Sequence, residues 1–122
     1  MKKSELRQLI REEIQRLTET LEFPGRRSLR RLLTHYDPYS HSDNNMGYRV
    51  KDDAKAVHIQ KVHKLLIKEG YSYTKYQKVM GDRTFFYTKD AGSYSEWMVF
   101  VSTRKDMTTV FDIKITHKTY MD

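Results

Sequence analysis

The chain has no cysteine, which removes disulfides and thiolate metal sites from consideration and leaves a fold that must hold in a reducing compartment as well as an oxidising one. No apolar run approaches the roughly 20 residues that a membrane-crossing helix needs. After Lys2 and Lys3 charged and apolar residues alternate, so the start does not have the composition of a secretory leader. A soluble protein without a membrane partner is expected, in the cytoplasm by default. Glycine-rich phosphate loops, nucleophile elbows, zinc-peptidase helices and dinucleotide fingerprints are also missing. The expectation is therefore a protein that is not an enzyme, with no cofactor and no small-molecule substrate.

What is present fits one small folded unit with appendages. At 122 residues there is too little chain for two independent cores. Charged residues make up 32% of the sequence, but fifteen aromatic residues provide enough large side chains for a folded part. The formal charge of +7 is uneven: residues 1–34 hold nine Lys and Arg against five Glu, whereas the rest of the chain is closer to balance.

Three segments are distinguished by pattern. In residues 1–22, Leu6, Leu9, Ile10, Ile14, Leu17 and Leu21 recur at spacings of three and four behind Ser4, a residue type suited to an N-cap, which predicts an amphipathic helix. Glu5 suits the first turn, and Glu12 precedes Arg16 by one helical repeat. Phe23-Pro24-Gly25 ends this pattern, because proline lacks the amide that a helix would use and glycine permits a sharp turn.

Residues 23–52 are expected to form a basic segment followed by a polar linker. Arg26, Arg27, Arg30 and Arg31 follow one another without an intervening acid, interleaved with Leu29, Leu32 and Leu33. From residue 35 to 47 the composition turns to Tyr, Ser, His, Asp, Asn and Gly, which reads as a long loop. His35, Asp37, His41 and Asp43 lie close together there. A loose loop supplies neither preorganised ligands nor the partners that orient them, so no metal site is expected.

Residues 53–122 are expected to form an αββββ unit. Asp52 or Asp53 can cap a helix reaching Glu69, with Ala56, Ile59, Val62, Leu65 and Leu66 inward and Gly70 as its stop. Four β-rich runs follow, at 71–80, 84–89, 94–103 and 108–120, with separators short enough for antiparallel hairpins. Phe111, Ile113 and Ile115 alternate with Asp112, Lys114 and Thr116, predicting one wet face and one face under the helix. Trp97, Val99 and Val101 alternate with Met98 and Phe100, so that run is apolar on both sides and should be central or part of a contact surface. His58 and His63 lie about 140° apart around a helix and cannot share a metal, while His117 shares the parity of the core residues and should be a buried or edge histidine with a packed or capping role. The fold class predicted is α+β: an N-terminal amphipathic helix and linker, then one helix on a four-stranded antiparallel meander.

The opening residues MKKSELRQLIREEI resemble the start of many small proteins of large tailed bacteriophages. The resemblance covers about a tenth of the chain and implies a phage-encoded accessory or virion structural protein, located in the virion or the host cytoplasm. Two functions are expected. In the first, Leu6, Leu9, Ile10, Ile14 and Leu17 dock a protein partner or a second copy of the chain. In the alternative, Arg26, Arg27, Arg30 and Arg31 contact nucleic-acid phosphates.

Overall fold

The computed structural model of the protein describes residues 22–42, 44–79 and 81–120. They form two α-helices and one six-stranded, wholly antiparallel sheet: α1 (Arg26–Leu32), β1 (Tyr36–Ser42), β2 (Asn45–Val50), a 3-10 turn (Asp53–Lys55), α2 (Ile59–Lys68), β3 (Ser72–Val79), β4 (Asp82–Gly92), β5 (Ser95–Thr103) and β6 (Val110–Thr119). The order across the sheet is β1-β2-β6-β5-β4-β3. Sequence pattern places the last four strands as a meander, and they pair that way.

The four-strand expectation is corrected to six, because the segment read as a polar linker supplies β1 and β2. Their register sets Tyr36 opposite Val50 and Pro38 opposite Tyr48, and β2 then pairs with β6, Tyr48 opposite Ile113 and Met46 opposite Ile115. Met46, Tyr48 and Val50 are buried on one face. The alternation is real but short, and two of its inward positions are a methionine and a tyrosine among polar neighbours, so it does not stand out from loop composition. The consequence is structural: residues 23–52 share a sheet and a core with residues 53–122.

One face of the sheet is covered by the helices. Val99, Val101, Val110, Ile113 and Ile115 point to it and are completely buried, together with Leu29 of α1 and Val62 of α2. Alternate residues of each strand face the other side, as the two-residue period requires. β5 lies between β4 and β6, so its second apolar row is Met98 and Phe100 on the open face, where the Phe86 and Phe100 rings meet edge to face at 4.9 Å. His117 is half-buried against the Trp97 indole, 4.6 Å between ring centres.

α2 starts later than its acidic neighbours suggest. Asp52 caps the 3-10 turn, accepting from the Ala54 amide, and the Asp53 carboxylate pairs with the Arg104 guanidinium. His58 is the N-cap of α2: its Nδ1 accepts from the Gln60 amide at 3.1 Å. That leaves the His58 imidazole at the helix end and His63 one turn inside it. The segment before α2 is pinned to the start of β6, with the Ile59 amide bonded to the Thr108 carbonyl and the Val110 amide to the Val57 carbonyl. The Tyr36 hydroxyl completes this junction, donating to the Val110 carbonyl and accepting from the Val57 amide. Burial raises the Tyr36 pKa, so the phenol stays a neutral donor there.

Candidate nucleic-acid interface

The basic segment is a helix because its ends are fixed by tertiary contacts. Gly25, at φ +83°, takes the left-handed conformation just before Arg26, and a Cβ there would meet the Glu69 side chain at 2.6 Å. Tyr71 donates to the Pro24 carbonyl at 3.0 Å, and Ser28 donates to Glu69 at 3.2 Å. Phe23 is buried in the core. Phe23-Pro24-Gly25 is thus the attachment of α1 to the C-terminal end of α2, where sequence pattern marks only a boundary.

Leu29 and Leu33 turn inward from α1 and are buried, which turns the arginines outward. Arg27, Arg30 and Arg31 are exposed and Arg26 is half-buried. No acidic residue lies on the helix. Among the four, Arg26 and Arg30 lean over the β1–β2 hairpin and wall a cleft of about 460 Å³ with Pro38, Tyr39, Ser40, Met46 and Tyr48. None of the described residues lining it is acidic. Arg26, Arg27 and Arg30 also border a second depression of about 650 Å³ with Glu22, Ser28 and Glu69.

The Tyr48 phenol ties the cleft together. Its side chain is only 3% exposed, and burial pushes its pKa up, while the charges of Arg26 and Arg30 and a hydrogen bond from Arg26 pull the other way. Arg26 thus bonds the phenol, and Arg30 acts on it through its charge alone. Such an arrangement gives a concentrated positive wall above a neutral hydroxyl floor and suits an anionic oxygen-bearing group.

The hairpin that forms the cleft floor is braced from the open face. Tyr39 lies across Gly47 and donates to the Asp112 carboxylate at 2.6 Å, and Arg49 sits 5.6 Å from the Tyr39 ring centre and 3.7 Å from Asp112. Gly47 is required there: a Cβ would come within 2.3 Å of the Tyr39 ring. Burial first, and the Asp112 carboxylate second, hold the Tyr39 phenol well above its usual pKa.

A different surface lies at the opposite end of the helix-covered face. Ile59, Gln60, His63, Tyr73, Phe85, Tyr87 and Met107 line an open groove of about 330 Å³ between α2 and the β3–β4 edge. His63 Nδ1 lies 2.7 Å from the Tyr87 hydroxyl, and burial, with the neighbouring Tyr73, pushes the Tyr87 pKa up to about 12. Tyr73, Tyr76 and Met107 are exposed around the groove.

Leu6, Leu9, Ile10, Ile14 and Leu17 lie outside the described residues. So does Asp43, and the described residues hold no cluster of three His, Cys, Asp or Glu side chains able to bind a metal. Asp37 instead faces Lys51 at 3.4 Å. The cleft residues Pro38, Ser40, Met46 and Tyr48 are not legible as a site in the sequence, because the hairpin that aligns them has the composition of a loop. Among the described residues no helix is long and apolar enough to cross a membrane. Comparison with family models, curated proteins and solved structures finds no match for this chain.

Proposed function

We propose that this is a non-enzymatic binding protein that holds nucleic acid by its backbone phosphates on α1. The observation that supports this most is that Arg26 and Arg30, beside Tyr48, wall the same cleft, whose described lining has no carboxylate, with Arg27 and Arg31 on the same short helix. Arginine is suited to phosphate because its planar fork can make two parallel hydrogen bonds and keeps its charge at any physiological pH. Glu69, one of two acids beside α1 among the described residues, accepts a hydrogen bond from Ser28.

Contact with four phosphates would release bound counterions, so affinity for a duplex should fall with salt at a log–log slope of about −3 to −4. Fluorescence anisotropy with a labelled duplex of mixed sequence measures this directly. Replacing Arg27, Arg30 and Arg31 by Ala together should bring the slope to about −1 while the sheet stays folded. Absence of retention at low salt, or an unchanged slope in the triple variant, would rule the reading out.

Docking of a protein partner, or of a second copy, through Leu6, Leu9, Ile10, Ile14 and Leu17 is a second proposal. It is supported by the amphipathic spacing of those residues and by the aromatic groove, open among the described residues, an apolar surface of the kind that such a stripe fits. Ile10→Asp with Ile14→Asp should abolish association in light scattering; normal assembly of the double variant would exclude it.

A further inference from the structure

Resting on the phosphate-binding reading, we infer that the Arg26–Arg30 cleft takes one unpaired base of a single-stranded nucleic acid, so that single strands bind in preference to duplex. Three features of the cleft argue for a base in addition to a phosphate. Its volume of about 460 Å³ is far more than a phosphate group fills. Its far wall is the exposed Pro38 ring, with the nearly buried Met46 and Tyr48 at its base, a lining that a planar ring can pack against better than a hydrated phosphate can. Its near wall is guanidinium, which stacks on a base as readily as it pairs with a phosphate.

The exposed arginines sit just outside the cleft. Arg27 and Arg31 can hold the backbone on either side while Arg30 contacts both the backbone and the inserted ring. A duplex cannot use the cleft without unpairing and unstacking a base, which costs a few kcal/mol. It is left with the phosphate contacts alone. A single strand has already given up its pairing and gains the base contact, which for stacked single-strand complexes corresponds to about tenfold or more in affinity.

The experiment compares three labelled probes on the full chain at one low salt concentration: oligo-dT of about twelve nucleotides, an abasic deoxyribose-phosphate strand of the same length, and a duplex of that length. Oligo-dT should bind about tenfold or more tightly than either of the others. Ser40→Trp, at an exposed position on the cleft rim, should fill the cleft and abolish the preference for oligo-dT over the abasic strand. Equal affinity for oligo-dT and the abasic strand overturns the base-binding inference and leaves the phosphate reading standing. An unchanged preference for oligo-dT in a folded Ser40→Trp variant overturns it as well. If circular dichroism shows that variant unfolded, the abasic comparison on the unsubstituted chain decides. Failure of all three probes to bind removes the phosphate reading itself and this inference with it.

Discussion

The two ends of the helix-covered face are built from the same sheet and carry opposite chemistry. At the β1–β2 end, a seven-residue helix presents arginine over a cleft floored by Tyr48 and Met46. At the β3–β4 end, α2 stops short of the edge and leaves Tyr73, Phe85 and Met107 around an apolar groove. The difference follows from what each helix brings. Seven residues can bury only Leu29, with Leu33 beyond the helix end, so α1 has most of its surface left for charge. α2 commits Val62 and Leu66 to the centre of the sheet, and its ten residues, about 15 Å, cannot also shield the edge strand. The charged end is therefore the more dependent on a few anchors.

The sharpest way to break the comparison is to remove one anchor from each helix. Leu29→Ala leaves a cavity in a site with no exposure and should cost about 2–5 kcal/mol in chemical unfolding. Because Leu29 holds α1 to the sheet, the same change should also weaken phosphate binding. Leu66→Ala should cost a similar amount with binding intact in the folded fraction. Equal effects of the two changes on binding would mean that α1 is not separately anchored.

The next effect is a pH dependence centred on the aromatic end. Tyr87 has its folded pKa raised to about 12 from an ordinary value of 10.0, so the unfolded chain loses this proton first as the pH rises. Stability from this group is fully present below about pH 10 and declines through about pH 12, by about 2–3 kcal/mol in total. Burial raises the pKa of Tyr36, Tyr39, Tyr48 and Tyr71 too, so the alkaline decline should be steeper than one phenol can produce. Urea midpoints measured from pH 8 to 12 test this; Tyr87→Phe should make the decline shallower, and a flat profile would contradict it.

The smallest effect sharpens the charged end. Gly47→Ala places a methyl against the Tyr39 ring and must move it away from Asp112, at about 1–3 kcal/mol. Tyr39→Phe keeps the ring and loses only the bond, so it should cost about 1 kcal/mol. A Gly47→Ala variant as stable as the parent in thermal melts would show that the ring has room to shift.

Much of the fold is legible in the sequence. The four runs that became β3 to β6 alternate strongly and are separated by short turns, and Val62 and Leu66 lie at the inward spacing of α2. Residues 36–50 were not legible as strands. Pro38, Ser40 and Gly47 have low strand preference, and what makes the hairpin is its pairing with β6, a contact some 65 residues distant in the chain. The arginine cluster was legible as charge. That only Arg26 and Arg30 of the four share the cleft with Tyr48 was not, since Tyr48 lay in a segment with no assigned direction.

By itself the sequence determined the alternation of the last four strands, the absence of thiol chemistry and the concentration of positive charge at residues 26–31. Those are local properties, set by side-chain period and composition within a few residues. Only the tertiary structure decided where the charge faces. The hairpin had to find β6 before Tyr48 and Met46 could form a floor, and Phe23, Gly25 and Ser28 had to dock on the end of α2 before α1 could be held above it. Such contacts gain their free energy from burial between distant segments, and no short window of sequence carries that information.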